Sequence, residues 1–307
     1  MSGLAILCPG QGGQHSGMLD LAAASPAGAE ALRRCAASLG WDPLARVRAP
    51  GADAFANAVA QPLVCAAEVA TWETLRAALP SPRAVLGYSL GELSAYACAG
   101  ALEPGEAVAL AVARAAAMDA AAPPGAGLVA LRGLSPVRAA AFAAATGAEI
   151  AIVNGPHHVV LGGPAAALAA VEAQAPAAGA TAIRLPVGVP AHTALLRPAV
   201  ERFAAALAAS PLGDPRVPVL AGTTALPVRT RAEAIGALST ALAKPIAWAS
   251  CLAAAAELGC TVFLELGPGG ALARMAGELL PDVEVRSVAD FRSVEGVVRW
   301  VGRALGG

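Results

Sequence analysis

The chain has 307 residues, 57% of them hydrophobic and 14% charged, with a formal net charge of -1. That length supports one large domain, or a large domain carrying an insertion. The near-zero charge excludes a polybasic nucleic-acid surface, so partners have to be argued from a site.

Much of the hydropathy comes from alanine, and no uninterrupted apolar run reaches the roughly 18 residues that suggest a membrane span. The opening MSGLAILCPGQGG lacks a basic start and turns glycine-rich after a short apolar run, unlike a signal peptide. Six cysteines are scattered without C-x-x-C pairs, and the four histidines are dispersed. The expectation is a cytoplasmic protein with reduced thiols, no zinc site and no bound cofactor.

In chain order, LAILC (4 to 8) reads as a buried strand running into the glycine-rich PGQGGQ. Helical segments follow near 25 to 40 and 60 to 79, and AVLGY (84 to 88) reads as a second strand. Strands separated by helices predict a parallel sheet covered on both faces.

The breaker PPGAG at 123 opens a different pattern. GLVALRG is a strand, then a helix spans 135 to 146 with Ser135 as its cap and Pro136 in its first turn. AEIAIVN and HHVVLGG form two strands joined at NGP, a second helix follows, and TAIRLPV (181 to 187) closes the unit. This β-α-β-β-α-β order predicts a ferredoxin-like insert over 123 to 190 in a discontinuous α/β domain formed by 1 to 122 and 191 to 307. After it come a helix near 195 to 210 and the strands RVPVLAG and TVFLELG, the last ending in a glycine-rich turn.

Chemistry concentrates at GYSLG (87 to 91), a G-x-S-x-G pattern between a strand and a helix. Such an elbow lifts a serine hydroxyl into a site and presents the next amide, here that of Leu90, to an oxyanion. A glycine-rich turn packed on a neighbouring helix is the alternative for Ser89. Among candidate bases, His157 and His158 lie in the hairpin of the insert and His15 follows PGQGGQ. His192 stands where the chain returns to the main domain, the best position for a base.

No acid between Ser89 and His192 follows a strand of the main sheet, so a Ser-His dyad oriented by a carbonyl fits better than a hydrolase triad. Arg114 falls in an alanine-rich helix, where a guanidinium would suit a substrate carboxylate or else pair with a nearby acid. The Gln11 amide, in a loop without the lysine of a P-loop, could complete an oxyanion hole.

These residues resemble one family, the malonyl-CoA:acyl carrier protein transacylases and related acyltransferase domains. The resemblance is carried in order by CPGQGGQ, AQPLVCAAEVA, GYSLGELSAYACAG, the helix with Arg114 and Met118, IVNGPHHVVLGG, VGVPAHTALLRPA, KPIAW and FLELGPGG. It implies an α/β-hydrolase-like large domain with a ferredoxin-like insert and transfer of malonyl from malonyl-CoA to an acyl carrier protein. Ser89 would be the nucleophile, His192 the base, Gln11 and Leu90 the oxyanion donors and Arg114 the clamp on the malonyl carboxylate. Gln61, Asn154 and Met118 would line the site, and a carbonyl near Ala241 would orient His192.

Tyr88 stands where fatty-acid transacylases usually carry histidine, and ARAAAMDAA lacks their usual Arg-Gly. Both features resemble the acyltransferase (epsilon-type) subunit of malonate decarboxylase, which implies a carrier subunit with a dephospho-CoA-type arm as acceptor and other decarboxylase subunits as partners. The phosphopantetheine carrier of fatty-acid or polyketide synthesis is the alternative acceptor. A serine hydrolase or a non-catalytic docking subunit are alternatives of other classes. Arg132, Arg184, Arg197 and Arg216 are candidates to receive an acidic carrier.

Overall fold

In the computed structural model, residues 2–49, 51 and 55–306 are described. Ten strands form two sheets: β1 Gly3–Cys8, β2 Ala84–Gly87, β3 Gly127–Arg132, β4 Glu149–Gly155, β5 His158–Gly163, β6 Thr181–Arg184, β7 Val219–Leu220, β8 Pro227–Val228, β9 Cys260–Glu265 and β10 Glu284–Ser287. The larger sheet has the order β10-β9-β1-β2-β7-β8 and is parallel apart from the β7/β8 pair. Every residue of β1 and β2 is buried, as expected for strands covered on both faces by helices. Chain order diverges from β1 toward β2 on one side and β9 on the other. The crevice beyond the carboxyl ends of β1 and β2 is therefore a topological switch point, where open α/β sheets form their sites.

The second sheet, with the antiparallel order β4-β5-β3-β6, lies within residues 127–184 and has its own core. Val129, Leu131, Val159 and Leu161 pack there with Ala139, Leu168 and Val171 of its two helices, Pro136–Thr146 and Ala165–Gln174. The Ser135 hydroxyl caps the first helix by accepting the Arg138 amide, and Gly147 ends it in the left-handed conformation. Ile246, in a segment that belongs to neither sheet, binds β4: its amide donates to Ala151 O at 2.9 Å, and its carbonyl accepts from Val153 N at 2.8 Å.

Some elements differ from expectation. RVPVLAG pairs only at Val219–Leu220, because Pro218 has no amide to donate. TAIRLPV is a strand only to Arg184, again ahead of a proline. The helix expected from 60 begins at Asn57 and ends at Leu75. The edge strands β8 and β10 and the helix Trp248–Glu257 were not anticipated.

Candidate active site

Ser89 sits between β2 and the helix Gly91–Cys98 with φ 58°, a left-handed conformation unusual for a residue with a side chain. The turn closes because glycine flanks it. A Cβ on Gly91 would stand 2.0 Å from the Cys8 carbonyl, and one on Gly10 would meet Tyr88 O at 3.0 Å and Ser89 Cβ at 3.7 Å. The loops after β1 and β2 can therefore lie against each other, which brings Gln11 to the pocket that holds Ser89. Among the described residues, the Gln11 and Leu90 amides donate to no protein acceptor.

His192 reaches Ser89 from a sequence distance of 103 residues, with Nε2 2.8 Å from Oγ. It too is left-handed, at φ 64°, held by its amide donating to Leu242 O at 2.8 Å. Its Nδ1 lies 2.5 Å from Ala241 O. A carbonyl can only accept, so Nδ1 carries the proton and Nε2 is left to accept from the serine hydroxyl. Burial, then the charge of Arg114, holds the imidazole down to about 3 against the pull of the Ala241 carbonyl. A neutral base facing a hydroxyl can take its proton at neutral pH.

Arg114, on the helix Pro104–Ala121, is 3% exposed. Its Nη2 donates to Ser89 Oγ at 3.3 Å and its Nη1 to Gln61 Oε1 at 2.7 Å. Gln61 donates onward to Asn57 Oδ1 at 2.5 Å and lies 3.4 Å from the Met118 sulfur, while Asn57 donates to Asp119 at 3.0 Å. Among the described residues, no carboxylate forms a salt bridge with Arg114. Burial lowers its pKa to about 10, with Glu92 opposing the shift, so the guanidinium stays charged at neutral pH. A buried, charged fork with two neutral partners is suited to receive a carboxylate beside the serine.

The pocket has a cavity volume of about 60 Å³. Leu128 and Ile152 of the second sheet and Leu185 and Val187 at its exit line it together with Arg114 and Gln61. Met118 lines it as well. Asn154 is not among the lining residues; its Nδ2 lies 3.3 Å from His158 Nε2. It also faces the Tyr88 hydroxyl, which burial pushes up to about 12 against the hydrogen bond from Asn154. Tyr88 in turn meets Trp248 edge-on, with ring centroids 5.4 Å apart.

The other histidines lie away from Ser89. His157 is exposed, half-buried His158 serves Asn154, and His15 lines cavities on the far side of the first loop. The arginines picked out for a carrier scatter. Arg184 is held by Glu172 at 3.0 and 2.7 Å, Arg132 lines a cleft with His157 and His158, and Arg197 is exposed at a helix start. Arg216 precedes β7 and packs against Gly100, at the amino end of the sheet; Ser89 follows the carboxyl end of parallel β2. It therefore lies across the sheet from the pocket. Asn57 escapes notice in the sequence, where Glu92 counts only as an acid unsuited to a triad. The Asn57/Gln61 spacing of four on one helix, and a lone acid in LGELSAYACAG, were the available signals.

A strained serine elbow with a neutral histidine on its hydroxyl, at the switch point of a parallel sheet, is the equipment of an enzyme that carries acyl groups on serine. The model described as the acyl transferase domain matches residues 6–293, and the chain belongs to that family. The chain is 33% identical over 308 residues to the malonyl CoA-acyl carrier protein transacylase of Haemophilus influenzae, covering 96% of this chain and 99% of that protein. It is 35% identical to that of Escherichia coli K12, covering 89% and 91%.

Among solved structures, the malonyl CoA-acyl carrier protein transacylase of Coxiella burnetii superimposes with a TM-score of 0.93 at 29% identity, covering 99% and 98% of the two chains. A malonyl-transacylase in complex with a type II PKS acyl-carrier protein superimposes at 0.91 and 29%, covering 97% and 99%. Among the described residues, no group of three or more His, Cys, Asp or Glu could hold a metal ion, and no helix is long and apolar enough to cross a membrane.

Proposed function

We propose that this chain moves a malonyl group from malonyl-CoA through an ester on Ser89 to the thiol of a phosphopantetheine arm on an acyl carrier protein. The observation that carries the reading is Arg114: a buried guanidinium, 3.3 Å from the serine oxygen, with no salt bridge to a carboxylate among the described residues. An acid pairing, the other expectation for this residue, would have left it nothing to offer a substrate.

In this mechanism His192 Nε2 takes the Ser89 proton as Oγ attacks the thioester carbonyl, and the Gln11 and Leu90 amides donate to the oxyanion. The C–S bond breaks, and His192 returns the proton to the departing CoA sulfur. Arg114 holds the malonyl carboxylate while the carrier thiol repeats the steps in reverse. The small unit at 123 to 190 and the large one at 1 to 122 and 191 to 307 then act as the two halves that close on the acyl group. In this reading the reaction is cytoplasmic.

Tyr88 and the ARAAAMDAA stretch suggested the carrier subunit of malonate decarboxylase as acceptor, and the observations favour the other branch. The relatives described above are named for malonyl CoA-acyl carrier protein transacylase, one of them as a complex with its carrier. Tyr88 also has a local packing reason, its contacts with Trp248 and Asn154, that calls for no special acceptor. The test is to load the protein with malonyl-CoA and follow discharge by intact mass. Faster discharge to a phosphopantetheine carrier than to one with a dephospho-CoA-derived arm is expected. The reverse order would return the protein to malonate decarboxylation, and steady release of free malonate without any thiol would make it a hydrolase.

A further inference from the structure

The hydrogen bonds of Arg114 go to neutral oxygens, yet one acid faces it. Glu92, three residues after the nucleophile in the first turn of Gly91–Cys98, is 1% exposed and acts on Arg114 through its charge. Glu92 is tied elsewhere. Its Oε2 accepts the Gly222 amide at 3.2 Å, just beyond β7, and its Oε1 is buried without a hydrogen-bond partner among the described residues. The Gly222 carbonyl accepts from Ala247 N at 2.8 Å, so this contact also steadies the segment that carries Ala241, Leu242 and Trp248. Moving the carboxylate onto Arg114 would leave a buried amide without an acceptor, which is costly.

One guanidinium is thus matched by one fixed, buried carboxylate. A malonyl carboxylate on Arg114 brings a second negative charge into the same water-poor space, where like charges oppose each other strongly. We propose that Glu92 takes up a proton when malonyl is loaded on Ser89, so that a single carboxylate balances Arg114 before and after loading. This rests on the malonyl reading above. It makes Glu92 a positioning residue that sets the charge at which the clamp receives its substrate.

Among the described residues, the groups facing Glu92 leave it alone in changing charge near neutral pH. On its own helix, burial drives the Tyr96 hydroxyl far above its ordinary range. On Trp248–Glu257, burial pushes the Cys251 thiol up to about 12, with Glu92 adding to it. His192 is held down to about 3, and Arg114 stays charged. Burial raises Glu92 itself to about 7, against the Gly222 amide and Arg114. A second carboxylate raises it further, so binding and protonation favour each other reciprocally.

Loading itself is proton-neutral: the Ser89 proton passes through His192 to the CoA sulfur as the ester forms and the C–S bond breaks. Ionisation of the released thiol is the same for malonyl-CoA and acetyl-CoA. Single-turnover mixing of the full chain with each, in weak buffer with a pH indicator at about pH 7.5, with adducts counted by intact mass, isolates the extra proton. Malonyl loading should consume up to about one proton more than acetyl loading, and Glu92→Gln, which keeps an oxygen for Gly222, should abolish the excess. A malonyl adduct without excess uptake, or an excess that survives in Glu92→Gln, overturns the proposal and leaves malonyl transfer standing. Absence of any malonyl adduct overturns both. Should the variant fail to fold, the wild-type malonyl-over-acetyl loading ratio decides: it should fall by up to about tenfold per pH unit above pH 7, and a flat ratio contradicts the proposal.

Discussion

The two walls of the pocket differ in kind. The large-sheet wall carries Ser89 and His192, both in left-handed backbone and joined by a 2.8 Å contact, with the buried charge of Arg114 behind them. The small-sheet wall offers aliphatic side chains, Leu128, Ile152, Leu185 and Val187. Backbone strain, costing of order 1–3 kcal/mol per residue, and a buried charge, costing several kcal/mol, sit in the wall that reacts; the other, being apolar, helps to exclude water and so strengthens the electrostatics of the site. Substitutions in the first wall should therefore change rates and selectivity, and those in the second should change binding and stability.

The largest effect is expected from Ser89→Ala, which should abolish the covalent malonyl adduct in intact-mass measurements. His192→Ala removes the proton acceptor and should slow adduct formation by about 10⁴-fold or more in rapid-quench kinetics. Arg114→Ala should act on selectivity instead, cutting the malonyl-over-acetyl preference by roughly 10- to 10³-fold in competitive loading while the acetyl rate changes little. Leu128→Ala, in the apolar wall, should lower stability by about 2–5 kcal/mol in denaturant unfolding and raise KM more than it lowers kcat.

The pH profile sharpens the contrast. Burial depresses His192 to about 3, so the base stays neutral and acetyl loading should hold level as pH falls from 8 to about 5. A decline centred near the ordinary imidazole value of about 6.5 would show a solvated histidine and a looser wall opposite it.

The elbow was legible in sequence because a strand, two glycines and a helix start are all local signals, and so was the β-α-β-β-α-β order of the small unit. The pairing of Ser89 with His192 rested on His192 standing where two folding units meet. That Arg114 has no salt-bridge partner among the described residues could not be read, since it depends on where acids from other helices end up. Asn154 shows the limit from the other side: its motif pointed to the pocket, and the β4/β5 hairpin turns it toward His158 and Tyr88. Arg216 looked available to a carrier because sequence order does not reveal which end of a strand faces the cleft. The edge strand β10, a charged and alternating EVRS, had too little apolar content to stand out.

The most direct test of the account is competitive loading: wild-type protein and Arg114→Ala, each mixed briefly with equal malonyl-CoA and acetyl-CoA, quenched and weighed intact, with the adduct mapped by peptide. The account predicts that wild type carries almost only malonyl, on Ser89, and that the variant carries the two acyl groups in comparable amounts at the same serine. An unchanged malonyl preference in Arg114→Ala, or an adduct on another residue, would contradict it.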